Sequence, residues 1–275
     1  MEFRGLSAAA SHEAAPWIER LARVGYTAKA VLYATIGVLA ASAALSGEAG
    51  TTGTRGAMGT VLAAPFGRAL LLVVSAGLYG YALWRMVEAI NDPEKRGRDA
   101  KGIALRVSFA ARAIAHAALG ATAFSIATNG RPDKDAPDGP ELWAARALEM
   151  PGGRGIVLAV AAGIMGYALY QLYRAVAAKL SKKLELNTLS PSAQRLVIRT
   201  SRFGIGARGL VFGMIGLLMA KAGQQRSADE AGGIGEALKA FSNLGKWPFA
   251  AIALGLIAYG GYELLNARFR RIRVD

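Results

Sequence analysis

The sequence predicts an all-α membrane protein whose six transmembrane helices form three tandem two-helix repeats in a pseudo-threefold bundle. Three observations carry that prediction. The chain has six long, nearly uncharged apolar stretches; its basic residues gather between those stretches; and a set of residues recurs three times at fixed spacing.

A helix needs roughly 20 apolar residues to cross a bilayer. Stretches of that length lie near 26–45, 66–87, 103–127, 153–174, 204–223 and 246–265. Composition points the same way: 53% of the 275 residues are hydrophobic, yet the net charge is +14. A soluble domain seldom combines the two. A nucleic-acid-binding protein would spread its bases over a polar face instead of confining them between apolar runs, so nucleic acid is not expected as a partner. The N-terminal sequence MEFRGLSAAASHEAAPWIER has no apolar core near its start, and the first span is expected to be retained, not cleaved.

Orientation follows from lysine and arginine, because short basic loops stay on the cytoplasmic side. The N-terminal region through Lys29, the loops 85–112 and 174–208 and the C-terminal tail together hold 23 of the 33 basic residues, against 10 on the other side. Acidic residues divide 10 and 9. Both termini are expected in the cytoplasm, with the protein in the bacterial plasma (inner) membrane.

The repeat is specific. Arg23, Lys29, Tyr33 and Gly37 in the first span match Arg106, Arg112, His116 and Gly120 in the third and Arg202, Arg208, Phe212 and Gly216 in the fifth. In the even spans, Gly67, Arg68, Gly77, Gly80, Tyr81 and Trp84 match Gly153, Arg154, Gly163, Gly166, Tyr167 and Tyr170, then Gly245, Lys246, Gly255, Ala258, Tyr259 and Tyr262. Two spans per unit give every copy the same orientation, related by an axis along the membrane normal. The units are placed at 20–91, 104–174 and 199–268. Between the spans of each unit a short interfacial helix is expected on the external side, near 56–64, 141–150 and 235–242. Pro65 and Pro151 stop the first two, and Asn243 stands in their place in the third.

Each unit opens on R-x5-[KR] and closes on G-x2-[GA]-Y-x2-[WY], and Pro65-Phe66-Gly67-Arg68 leads into the second helix of the first. These features resemble the bacterial domain of unknown function 1206 family over about residues 20–268. The resemblance implies an integral membrane protein with three tandem domains and brings no established activity.

Lys29, Arg112 and Arg208 fall just inside the cytoplasmic ends of the odd spans. Two readings suit them: snorkelling anchors that meet anionic lipid headgroups, or a basic ring at the mouth of a central path that attracts anions. Arg68, Arg154 and Lys246 admit the same readings at the opposite end. Tyr81, Tyr167 and Tyr259, with Trp84, Tyr170 and Tyr262, fit an interfacial aromatic belt or stacking on the facing bases. The pairs Gly77/Gly80, Gly163/Gly166 and Gly209/Gly213 are expected at helix contacts, and His116 as a packed ring. Two further segments are expected on the membrane surface: the N-terminal stretch with Trp17, Leu21 and Val24, and the loop with Lys179, Lys182 and Lys183, in which Ser190-Pro191 caps the next helix.

With no cysteine and only two histidines, the chain lacks the means for disulfides, thiolate chemistry or an imidazole cluster. No phosphate loop, metal motif or activated nucleophile is found, so no catalytic, cofactor or metal residue is assigned and the chain is not expected to be an enzyme. No Asp or Glu lies in the middle of a span, and Glu88 and Glu263 approach the cytoplasmic ends, which argues against coupling to protons or sodium. Two functions stay open. One is a non-catalytic structural or lipid- and protein-interaction role in the envelope, with anionic headgroups at the cytoplasmic face, a second copy or another membrane protein as partners. The other is a passive channel or carrier for small anions along the pseudo-threefold axis.

Overall fold

A computed structural model describes residues 3–46, 53–91, 99–130, 139–177 and 189–269, and among these the side chains of 3–19, 21, 22, 100 and 101 are not described. In chain order the helices are α1 (Phe3–Ser46), α2 (Thr54–Ala63), α3 (Gly67–Asn91), α4 (Ala100–Asn129), α5 (Gly139–Glu149), α6 (Gly153–Ala177), α7 (Pro191–Gln225), α8 (Ile234–Asn243) and α9 (Lys246–Phe269). Among the described residues there is no strand. Helices α1, α3, α4, α6, α7 and α9 each carry a stretch long and apolar enough to cross a membrane. The chain is a multi-pass membrane protein built as three units of long, short and long helix.

Local chemistry sets the boundaries. Asp99 caps α4 by accepting from the Gly102 amide at 2.9 Å, and Ser190 caps α7 by accepting from Ala193 at 3.3 Å, with Pro191 at the first helical position. Helix α1 runs for 44 residues, about 66 Å. Its N-terminal part therefore continues beyond the Arg23–Ser46 span as the same helix, where a separate surface segment was expected. The side chains of Trp17 and Leu21, and all of Lys179, Lys182 and Lys183, lie outside the described residues.

The short helices end where proline dictates. Helices α2 and α5 stop two residues before Pro65 and Pro151, because proline drives the residue before it out of the helical region. Helix α8 lacks that proline and continues to Asn243, the matching position. A left-handed residue then turns the chain into the next span: Phe66 (φ 60°), Gly152 (φ 75°) and Gly245 (φ 118°). Glycine adopts this conformation freely, whereas Phe66 is strained in it. The short helices do not merely lie at the interface as expected. Ala57, Met58, Ala144, Ala237 and Leu238 are fully buried and close the bundle end opposite to the start of α1. One core joins Ala57, Ala237 and Leu238 to Ile36, Phe249 and Leu256.

The long helices form an incomplete ring. The broadest interfaces lie between units, α3 on α4, α6 on α7 and α9 on α1, and this gives the bundle its pseudo-threefold character. Within the first and third units the long helices also pack together, α1 on α3 and α7 on α9. A Cβ on Gly77 would stand 3.0 Å from Val24 and 3.2 Å from Ala28, and one on Gly255 would collide with Ala207 beside Phe203. The repeat places Val107 and Ala111 opposite Gly163 in the second unit, yet Gly163 and Gly166 have no atom within 4 Å of a built Cβ, and Val107 and Ala111 are exposed. The α4–α6 seam is open, contrary to the expectation for Gly163 and Gly166, because small residues permit close approach without compelling it. Gly209 does pack, with Leu172 at 3.0 Å, while Gly213 meets only Ala168 at an ordinary 3.8 Å.

Candidate functional site

The outer bases of the first two R-x5-[KR] motifs belong to the architecture. Arg106 donates through Nε to the Ala89 carbonyl at 2.7 Å and through Nη2 to Ile90 at 2.8 Å. Arg23 donates through Nη1 to Ala267 at 2.5 Å and Arg268 at 3.0 Å. These carbonyls hold matching repeat positions in the last turns of α3 and α9. A helix end leaves its final carbonyls unpaired and carries partial negative charge, so a guanidinium satisfies both. Each arginine thus caps the even helix of the neighbouring unit.

Six residues further on, about 9 Å deeper along the helix, the inner bases face the interior of the bundle. Lys29 is 7% exposed. Its Nζ stands 2.7 Å from Glu263 Oε1 on α9 and 4.9 Å from the Tyr81 ring centre, and the Tyr259 hydroxyl donates to the same carboxylate. Arg208 is 6% exposed. It donates through Nε to the Tyr33 hydroxyl at 2.9 Å and through Nη1 to that of Tyr167 at 2.7 Å. Its guanidinium lies 4.3 Å from the Phe212 ring centre and 4.9 Å from that of Tyr259. Arg112, half-buried, stacks 5.2 Å from Tyr167 and 5.7 Å from Phe109. None of the three points outward as an independent snorkelling anchor.

The tyrosines join these bases. Tyr81 and Tyr259 are buried, so they do not form a headgroup-level belt. Tyr81 lies between Lys29 and Arg85, and Tyr167 carries Arg112 and Arg208 on one ring. Cation–π contacts of this kind gain strength away from water. His116 packs on Tyr81 with ring centres 4.5 Å apart, as a packed ring should.

A further repeated position was missed in the sequence. Four residues beyond the matched tyrosines stand Arg85, Gln171 and Glu263, all buried, and each bonds to the residue three further on. Arg85 pairs with Glu88, Gln171 accepts from Arg174 at 3.0 Å, and Glu263 accepts from Asn266 at 3.4 Å. Carrying the repeat register one turn past Tyr81 would have exposed a polar residue in all three copies. Glu263 is 2% exposed and Glu88 6%. Both stand in the last two turns of α3 and α9, close to the span ends as the sequence has them, but turned into the protein and buried.

The outer trio does not converge. Arg68 donates through Nε to Ala127 at 2.6 Å and through Nη2 to Thr128 at 3.1 Å, capping α4 as Arg106 caps α3. Arg154 and Lys246 are exposed at the starts of α6 and α9.

Two carboxylates neutralise Lys29 and Arg85. Arg112 and Arg208 make no ion pair among the described residues, which leaves a cationic, donor-rich site at the basic end of the bundle. Among the described residues no three His, Asp or Glu side chains are grouped to hold a metal.

No solved structure matches the chain. The Uncharacterized protein YxxB of Bacillus subtilis (strain 168) is 28% identical over 264 residues, covering 94% of either chain. The family described as Domain of Unknown Function (DUF1206) matches three times, at residues 24–92, 107–178 and 203–270. With its inner bases and tyrosines repeated within those three segments, the chain belongs to the DUF1206 family.

Proposed function

We propose that this is a non-catalytic protein of the bacterial inner membrane, with both termini in the cytoplasm, that binds an anionic group of phosphate or sulfate type between Arg112 and Arg208. One observation carries the reading: the Arg208 guanidinium is withdrawn from water and held by two neutral hydroxyls and ring faces, with no ion pair among the described residues. A buried charge without a counter-charge is costly. An anion would offset it with charge-assisted bonds. The Tyr33 and Tyr167 hydroxyls accept from Arg208, so each keeps its own O–H to donate to a ligand. Packing at the far end of the axis, around Ala57, Ala237 and Leu238, favours a site open at one end over a continuous channel.

The test is thermal unfolding of the detergent-purified protein titrated with phosphate, sulfate and chloride. Wild type should be stabilised by the divalent oxyanions in a manner that added salt weakens, and Arg208→Gln should weaken that response about fivefold. Wild type that responds to none of these anions would overturn the proposal.

A further inference from the structure

We infer, on the strength of the anion-site reading, that the ligand is an anionic membrane lipid whose acyl chains occupy the open seam between α4 and α6 and whose headgroup reaches Arg112 and Arg208. The repeat supplies the first argument. Two units close the matching seam with their own helices, Gly77 on Val24 and Ala28, and Gly255 on Phe203 and Ala207. Only the second leaves it open, and α4 and α6 are correspondingly the least buried spans, 28% and 22% against 50% or more elsewhere.

Continuity is the second argument. The open wall of α4 passes through Val107 and Ala111, and Arg112 is the next residue. The open wall of α6 passes through Gly163 and Gly166 to Tyr167, on which Arg112 stacks at 5.2 Å. The seam therefore passes directly along the cationic site.

Chemistry along the seam is the third. Towards the basic end α6 presents the exposed rings of Tyr170 and Tyr173, with Arg174 over Tyr170 at 5.9 Å, a pattern that suits a headgroup. Along α4 the wall runs from Val107 at the basic end, 63% exposed, past Arg112 to Ile114, 65% exposed, opposite the glycines of α6. Its apolar side chains give a free inorganic anion no partner but suit hydrocarbon. Positive charge at one end and apolar walls beyond it match an amphiphile of opposite polarity.

The experiment compares purified wild type, Gly163→Leu, Gly166→Leu and Arg208→Gln by native mass spectrometry after incubation with phosphatidylglycerol or phosphatidylcholine, alongside thermal stabilisation by inorganic phosphate. Wild type should retain phosphatidylglycerol over phosphatidylcholine. The leucine variants, which fill open space, should lose that retention while keeping the phosphate response, and Arg208→Gln should weaken both by about fivefold. Retention unchanged in both leucine variants would overturn the seam as the lipid site and leave the anion site standing. Phosphate stabilisation without lipid retention in wild type would make the ligand a free anion and overturn the inference. Arg208→Gln indistinguishable from wild type in both assays would bring down the underlying reading as well. Because the chain has no native cysteine, Ala111→Cys/Gly163→Cys adds an independent measurement. Its oxidative cross-linking should be blocked by phosphatidylglycerol, and cross-linking that is complete with or without that lipid would show that the helices close on each other and overturn the inference.

Discussion

Lys29 and Glu263, 234 positions apart in sequence, form a 2.7 Å ion pair that joins the first unit to the third across α1 and α9. Both side chains are almost wholly buried, so removing one leaves the other charged in an apolar setting. Glu263→Gln and Lys29→Met should each lower unfolding stability by about 3–5 kcal/mol. Combining Lys29→Met with Glu263→Met should restore much of the loss, because the stranded charge is then gone. Denaturant titration in mixed micelles reads all three, and a single-variant loss as small as that of a surface pair would contradict the buried geometry.

The capping arginines should act locally. Arg106→Ala removes two charged hydrogen bonds from the last turn of α3 and should cost about 1–3 kcal/mol. Hydrogen exchange should show faster amide opening in the last turn of α3, with α9 unaffected. Arg23→Ala should reverse that pattern, weakening the last turn of α9.

Glycine substitutions should sort by seam. Gly204 lies against the Tyr259 backbone, and Gly255 against Ala207. Leucine at either should cost about 3 kcal/mol or more by overpacking and yield little monodisperse protein by size-exclusion chromatography. Gly163→Leu should match wild type in the same assay, since its side chain enters empty space.

Topology is tested with fused reporters. The 23 to 10 division of basic residues predicts that a reporter active only in the cytoplasm works after Asp275, and that one active only outside works near Asp135. Activity in the reverse pattern would invert the orientation.

The fold was legible in the sequence to the extent that it rests on local properties. Apolar length marks a span wherever it occurs, Pro65 and Pro151 stop a helix regardless of its neighbours, and Ser190-Pro191 announces a helix start. The inward direction of Lys29, Arg112 and Arg208 was not legible, because a base near a span end is equally satisfied by a headgroup or by a buried partner. Glu263 decides the matter for Lys29, and its repeat position carries Arg85 and Gln171 in the other units, so no single residue type recurs there to draw attention. The open seam was hidden for a related reason. Val107, Ala111 and Gly163 have the same character as Val24, Ala28 and Gly77, and nothing in their identity distinguishes a closed pair of helices from an open one.

The inter-unit caps also bear on how the protein is made. Arg23 and Lys29 leave the ribosome well before the groups they meet on α9, the carbonyls of Ala267 and Arg268 and the Glu263 carboxylate. Helix α1 must therefore wait in the membrane through the insertion of every other span. A nascent chain that stops after the second unit offers Lys29 no carboxylate from α9. Ring closure waits for the insertion of α9, and an intermediate with a lone ammonium inside the bilayer is the form that membrane proteases and insertion chaperones would meet.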